Sequence, residues 1–535
     1  MTDEFTSTER NQLKGHFSNP DKAVFAIITP SQVDRGALMS RYSRSSNSMR
    51  RIFLDEFLTN PNRGERFYER VLSEYGDDSV AELGLVQIGV EGLSNIAIQT
   101  VEDRRLGLSF LEKSSRYVFW DKKIDGHFAY YKGKDVMESR HEKAYTSSCE
   151  LSFETYSKLT APMLKYMEEV TPIESHTFFD SESNTEKPFS QLTQSQDVQA
   201  AQRIYKGTLK ARTSDALRSL LPASTLTNVG IAGNGRAFEY LISVLKSSPL
   251  NEVQKLGSDI YNELTATARA FVKRAGDKYG LALQEYMVKL SKQSDKISLN
   301  TDVPLQHCTK MPFYTPPEDA LNLVISGLLY ENSHRTFGSL YGIVKDMPKS
   351  KKRKIIKSFT NLRQNRRHRP PRAFELVSYT FDLINNYGMF RDMHRHRVLT
   401  MQRQPLSTRH GFTIPDDIIQ AGFSQDFHEC MNASKEAYNT IHTDAPSLSQ
   451  YVVNFAYNYP YMLKVNLREL CHIIELRTLP QGHSDYRDVT QEMYRCLQKV
   501  HPDLVEIIKF VNLDRYGMGR MGSEKRSEIK RKKLA

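Results

Sequence analysis

Arg391-Asp392-Met393-His394-Arg395-His396-Arg397, followed ten residues later by Ser407-Thr408-Arg409, is the stretch on which the reading of this chain turns. Cations at this density repel one another unless anions sit among them, and guanidinium forks bind phosphate oxygens in pairs. A solvated charge run is the plainer reading, but Tyr379, Phe381 and Met389 flank the cluster and argue for a partly buried place. The pattern also occurs twice. Asp78-Ser79-Val80-Ala81-Glu82-Leu83 through Ser114-Ser115-Arg116-Tyr117 lies without gaps on Pro371 through Glu375-Leu376 to Ser407-Thr408-Arg409-His410, at a constant offset of 293. Glu82/Glu375, Leu83/Leu376, Arg104/Arg397, Ser114/Ser407 and Arg116/Arg409 are identical across it, and a helix carrying Asn-x-Arg follows in each half, at Asn234-Gly235-Arg236 and Asn466-Leu467-Arg468. A repeat of this period implies two copies of one domain.

Length agrees, since 535 residues exceed what one compact core holds. The expected division is a first domain over 1–295, a connection over 296–318, a second domain over 319–520 and a basic, frayed tail over 521–535. Apolar residues three or four apart (Val253, Leu256, Ile260, Leu264, Ala268, Val272) predict a helix from Asn251 to Tyr279, and a similar helix is expected from about Asp488 to Val511. The polar stretch Asp180 to Asp197 reads as a loop.

Composition is that of a folded protein, 39% hydrophobic and 26% charged, with no apolar run long enough to span a bilayer and no leader-like start. A cytoplasmic protein without membrane contact is expected. Cys149, Cys308, Cys430, Cys471 and Cys496 form no C-x-x-C pair, which excludes a zinc knuckle or disulfide framework and leaves buried apolar roles. The net charge of +11 gathers in Lys349–Lys357, Arg363–Arg372 and Lys525–Lys533. Anionic partners follow from it, and nucleotides, phosphorylated cofactors, folates and nucleic acid all satisfy that charge.

Two further segments bear on chemistry. Ser114 to Trp120 has the aromatic and β-branched content of a strand, which would put Ser114 and Arg116 on one face as a cradle for a phosphate or a pyrimidine edge; an ordinary surface strand fits the same letters. On a helix starting at Asn466, Arg477 falls within roughly 20° of Asn466, beside Leu470 and Ile473, on what would be the buried face. A charge there must meet an anion or a carboxylate, so a ligand and a structural ion pair both remain open. Leu245 holds the matching slot in the first half.

In this order the blocks resemble the flavin-dependent thymidylate synthases, whose signature reads R-H-R-x-x-S-x-N-E-x-S-x-R-Y, preceded by S-x-x-E-H and followed by an A-R-x-x-L-P turn and an N-x-R helix ending in L-R. The second half has Arg395-His396-Arg397, Ser407-Thr408-Arg409, Asn466-Leu467-Arg468 and Leu476-Arg477. The first has Gln99, Glu112-Lys113-Ser114-Ser115-Arg116-Tyr117, Ala216 through Arg218 to Leu221-Pro222, and Asn234-Gly235-Arg236. There are departures. Both halves carry two extra residues before the S-x-R; Glu102-Asp103-Arg104 fills the first R-H-R slot; Asp392 stands for a glutamine, Pro405 for a glutamate and Gln450 for an arginine.

The resemblance implies an α+β fold of two such domains in tandem, each an antiparallel sheet flanked by long helices. It also implies reductive methylation of dUMP to dTMP with FAD as cofactor, and NADPH and methylenetetrahydrofolate as co-substrates. Since the losses in the two halves complement each other, a composite site is expected. Gln99, Glu112, Ser114, Arg116 and Arg218 would serve the nucleotide, with Ser114 a contact and no nucleophile. Arg395, His396, Arg397, Asn466, Arg468 and His472 would serve the flavin. Arg477 would bind the nucleotide and activate the uracil ring. A homodimer would then stand for the family's tetramer. The rival readings are a flavoenzyme acting on another pyrimidine nucleotide, or a non-catalytic nucleotide- or nucleic-acid-binding descendant; under the synthase reading nucleic acid is not an expected partner.

Overall fold

The backbone of the computed structural model is described for residues 5–534 apart from 61–62, 75–77, 115, 117 and 298–306. Its described strands are β1 (Leu85–Ser94), β2 (Leu108–Glu112), β3 (Thr177–Asp180), β4 (Thr185–Pro188), β5 (Leu226–Asn234), β6 (Cys308–Tyr314), β7 (Ser378–Asn386), β8 (Leu399–Arg403) and β9 (Asn458–Asn466). Two compact units form from interleaved segments, not from consecutive halves: 1–113, 131–139 and 225–301 make one, and 114–130, 140–224 and 302–535 the other. The division at 1–295 and 319–520 is therefore not the spatial one, because 114–130 and 140–224 belong to the second unit.

In the first unit β1, β5 and β2 form an antiparallel sheet in the order β1-β5-β2. The strand leads directly into a helix at each of two places. The Ser94 Oγ accepts from the Ala97 N–H at 3.1 Å and opens helix Asn95–Glu102, and the Asn234 Oδ1 accepts from Ala237 N–H at 2.9 Å and opens helix Gly235–Lys246. Both are N-caps, satisfying a donor that a helix start leaves without a partner. The second unit repeats the module. Its sheet, β6-β7-β9-β8, is antiparallel throughout; Asn386 caps helix Tyr387–Met393 through Met389 N–H at 2.8 Å, and Asn466 caps helix Leu467–Arg477 through Glu469 N–H at 2.9 Å. The expected fold, two sheet-and-helix domains in tandem, is what forms. The long helices Glu142–Val170, Ser195–Leu217 and Ser424–His442 also belong to the second unit.

The gap-free register between the repeats does not survive. It holds from Leu85/Ser378 along the strand, but β1 slips against β5 between Val90 and Leu93, where Gly92 takes φ +72° and inserts one residue. Leu108 and Leu399, which open the next strands, are offset by 291. Arg104 and Arg397 are thus not equivalent in space. The left-handed turns before these strands do match: Gly107 has φ +77° and Val398 φ +59°.

Other expectations are corrected. Ser114 to Trp120 is not a strand, because β2 ends at Glu112, its last pairing with β5; Ser115 and Tyr117 lie outside the described residues. The helix from Asn251 stops at Val272, and Asp277, accepting from the N–H groups of Tyr279 and Gly280, starts a new one, Lys278–Ile297. The helix expected to reach Val511 runs Ser484–Val500 and ends at His501, since Pro502 disfavours helical geometry in the residue before it. The loop at 180–197 holds β4, paired with β3. Within 296–318, residues 298–306 lie outside the described residues, but β6 is an edge strand of the sheet. The tail is helical over Met521–Leu534 and docks on β3 and β4, where Lys525 stands 5.1 Å over Phe178 and 3.4 Å from Glu186. No helix among the described residues is long and apolar enough to cross a membrane.

Candidate active site

Three arginines distant in sequence meet inside the second unit. Arg116 follows β2, Arg218 sits at the C-terminal end of helix Ser195–Leu217, and Arg477 is the last residue of helix Leu467–Arg477. Two aspartates hold them. Asp215, one helical turn before Arg218, takes Arg116 in a fork, Nε–Oδ1 2.8 Å and Nη2–Oδ2 2.6 Å, and stands 4.0 Å from Arg218. Asp392, on helix Tyr387–Met393, lies 3.5 Å from Arg477 Nη1 and 3.9 Å from Arg218 Nη2. Arg477 also donates through Nη2 to the Asp392 carbonyl and through Nε to His396 Nε2 at 2.9 Å. Its guanidinium lies 5.3 Å from the centre of the Tyr486 ring.

The electrostatics follow from this packing. Burial opposes ionisation of Asp392, but Arg477, Arg218, Arg395 and Arg116 outweigh it and bring its pKa down to about 2. Asp215 is likewise held below the usual carboxylate range, burial being overcome by His483, Arg116 and Arg218. Arg218 has a 6% exposed side chain that makes no hydrogen bond among the described residues; Asp215 and Asp392 stand 4.0 and 3.9 Å from it, and its charge also lowers the pKa of Asp485. A guanidinium carries five N–H donors, so this one is under-satisfied. It lines a cavity of about 530 Å³, together with Arg116, Asp215, Asn386, His483 and Asp485. That volume lies within the range of small-molecule sites, about 300–1,000 Å³.

The R-H-R turn sits on the other side of Arg477. His396 is buried, with Nδ1 3.3 Å from Glu469, while Arg395, Arg397 and His472 are exposed. Burial pushes Glu469 up to about 7, with Arg468 and Arg369 opposing. Burial, then Arg366 and Arg369, lower the pKa of His472. His396, Glu469 and His472 could present ligand atoms within 4.8 Å of one another, as a metal would need. The surrounding arginines, and the Arg477 donor on His396 Nε2, set a field that suits an anion better than a cation. Val398, β-branched and left-handed, ends the turn in a strained conformation of the kind that gathers at functional sites.

Of the sequence candidates, Arg116, Arg218, Arg477 and His396 come together. Ser114 lies beside Arg116, whose backbone N–H donates to its Oγ at 3.2 Å. Asn466 is a cap, not part of the buried helical face, because its side chain is spent on Glu469 N–H. Arg468 donates to the Pro370 carbonyl at 2.8 Å and pairs with Glu375 at 3.1 Å. Gln99 and Glu112 belong to the first unit; the Gln99 side chain is fully buried with neither amide atom hydrogen-bonded. Sequence reasoning missed Asp215, His483, Asp485 and the cavity wall at Tyr516–Arg520. The spacing of Asp215 and Arg218, three apart on a helix, was an available signal; nothing local marked the wall, which Arg487 holds by donating to Asn512 Oδ1 and the Asp514 carbonyl, both at 2.8 Å.

The sequence profile of the family described as thymidylate synthase complementing protein matches residues 28–268 and 313–503. A UPF0159 protein of Thermoplasma acidophilum is 36% identical over 93% of this chain and 99% of its own length, and one of Chlamydia pneumoniae is 35% identical over 98% of each. Among solved structures, the UMP/dUMP methylase PolB of Streptomyces cacaoi bound with 5-Br dUMP is similar at 15% identity and TM-score 0.31, covering 38% of this chain and 96% of that one. Thymidylate synthase X (ThyX) of Helicobacter pylori with FAD and dUMP is similar at 16% identity and TM-score 0.29, covering 38% and 99%.

Proposed function

This chain belongs to the thymidylate synthase complementing protein family, and from that premise we propose that it is an FAD-dependent thymidylate synthase, methylating dUMP reductively to dTMP with methylenetetrahydrofolate and NADPH. The observation that carries the reading is the convergence, through Asp215 and Asp392, of Arg116 and Arg218, from the first half of the sequence, with Arg477 and His396, from the second; Arg116 and Arg218 line the mononucleotide-sized cavity. Arg116 and Arg218 bind the nucleotide, and the under-satisfied donors of Arg218 are filled by it. Arg477 stabilises negative charge developing on the pyrimidine, an electrostatic role that gains strength where water is scarce. Ser114 contacts the nucleotide beside Arg116. The cation-rich donor set of Arg395, Arg397, Arg468, His396 and His472 fits a flavin diphosphate, and bound flavin supplies hydride transfer to the pyrimidine. Asp215 and Asp392 keep the arginines aimed before substrate arrives, so that little ordering is left to do on binding. The working assembly in this reading is a homodimer.

The test is the absorption spectrum of the full chain with FAD, reduced by NADPH without oxygen. An oxidised-flavin band near roughly 450 nm that bleaches faster when dUMP is present supports the reading. A chain that takes up no flavin, and whose affinity for DNA or RNA falls steeply with salt, would replace it with a binding protein.

A further inference from the structure

Arg468, His472 and Glu475 lie four and then three residues apart on helix Leu467–Arg477, and so share one face. A loop, 363–370, crosses that face and is fastened to it at both ends. At one end the buried Arg363 grips Glu475 in a fork, Nη1–Oε1 and Nη2–Oε2 both 2.8 Å; at the other, Arg468 Nε donates to the Pro370 carbonyl at 2.8 Å. Between the ends the loop braces itself. Arg363 Nε donates to the His368 carbonyl at 2.6 Å, the His368 ring meets Gln364 N–H at 3.2 Å and the Asn365 amide at 2.8 Å, and Arg367 N–H donates to Asn365 Oδ1 at 2.9 Å. His472 stands midway between the fastenings, and Arg366 and Arg369 bring their charge to it: burial, then these two arginines, lower its pKa. Arg366, Arg369 and His472 are exposed, and among the described residues none of them forms an ion pair. Two guanidinium groups held this way, with no carboxylate paired to either, favour an anion, and a braced loop leaves little to order when one arrives.

This loop adjoins the R-H-R turn, since the His472 ring lies 5.9 Å from the His396 ring and edge-on to it. Arg366 and Arg369 are cations beyond the donor set already assigned to the flavin, and their exposure suits a molecule that arrives and leaves with each turnover better than a resident cofactor. We infer that Arg366 and Arg369 bind the 2′-phosphate of the reductant, and so select NADPH over NADH. The inference rests on the synthase reading and adds to it the residues that tell the two reductants apart. A phosphate monoester accepts paired N–H groups from guanidinium forks. The bare 2′-hydroxyl of NADH carries no charge and leaves both arginines to water.

Isothermal titration of the FAD-loaded full chain with adenosine 2′,5′-bisphosphate and with AMP, which lacks only the 2′-phosphate, tests this. The wild-type chain is expected to bind the bisphosphate about 30-fold more tightly, the scale of one or two charge-assisted hydrogen bonds. In the double variant Arg366→Gln, Arg369→Gln the ratio is expected to fall below about 3-fold, with FAD affinity unchanged within about 2-fold. Lys354→Gln, which removes an exposed charge from the neighbouring helix Lys349–Thr360, is expected to keep the wild-type ratio. Equal binding of the two probes by the wild-type chain overturns the inference whether or not any variant folds. An equal fall in Lys354→Gln overturns it too, by showing general attraction in place of a site, and loss of FAD from the double variant would give the arginines to the flavin. Each of these results, with flavin still bleached faster in the presence of dUMP, leaves the synthase reading standing. A wild-type chain that takes up no FAD overturns both.

Discussion

The two sheet-and-helix modules share a backbone plan and differ in what they do with charge. Both keep an Asn cap at the end of the central strand, and both keep one ion pair at the matching place: Arg236–Glu82 at 2.7 Å in the first unit, Arg468–Glu375 at 3.1 Å in the second. Eleven residues past the cap they part. The first module has Leu245, fully buried, and the second has Arg477, paired with Asp392. Counted from the caps Ser94 and Asn386, Asp392 is matched by Thr100. One helix end is thus core in one copy and an ionic cluster in the other. The plan of the fold tolerates either.

Exchanging these residues breaks or sharpens the contrast. Leu245→Arg puts a charge where no aspartate matches Asp392, and is expected to lower stability by about 4–5 kcal/mol, read from urea unfolding. A change within about 1 kcal/mol would mean that the first unit still has a partner for the arginine. Arg477→Leu, the reverse exchange, is expected to cost a factor of about 10²–10³ in turnover, measured with saturating dUMP. Adding Asp392→Thr should recover stability lost with the ion pair but no turnover, because leucine and threonine supply no charge to a pyrimidine.

Acid sharpens the contrast further. Asp392 titrates at about 2 in the folded chain, below its unfolded value, so its stabilisation is present above about pH 4 and is lost as the pH falls from there towards 2. The difference in unfolding free energy between the wild-type chain and Asp392→Asn should shrink by about 2 kcal/mol across that window. A constant difference would mean that the carboxylate is not held by its arginines. The smallest effect is expected at the shared pair. Arg236→Ala should change stability by less than about 0.5 kcal/mol, since both partners are half exposed.

Much of this was legible in the letters. The duplicated plan was visible because Glu-Leu, Ser-x-Arg and Asn-x-Arg recur in order in the two halves; Arg477 was visible because a cation on the buried face of a helix has few explanations, Arg116 from its spacing to Ser114, and Arg218 and His396 through the family resemblance. The register was not, because the residue inserted at Gly92 sits in a strand whose side-chain alternation continues on either side of it. The interleaving of the units was not either: local periodicity says where helices Glu142–Val170 and Ser195–Leu217 run, but not which sheet they cover. Asp215 and the Tyr516–Arg520 wall depend on long-range packing, Arg487 reaching Asn512 and Asp514, that no local pattern encodes. The strand expected at Ser114 failed for a related reason, since β-propensity marks side chains that fit a sheet and not whether a neighbour is there to pair.

The central claim is that one chain carries one working nucleotide site, built from both halves of the sequence, while the other copy of the module has become core. Counting dUMP bound per FAD-loaded chain by calorimetry tests it most directly. The account predicts one dUMP per chain, lost in Arg477→Leu and kept in Arg236→Ala. Two per chain would show that the first module retains a site of its own, and none would show that the arginine cluster serves another ligand.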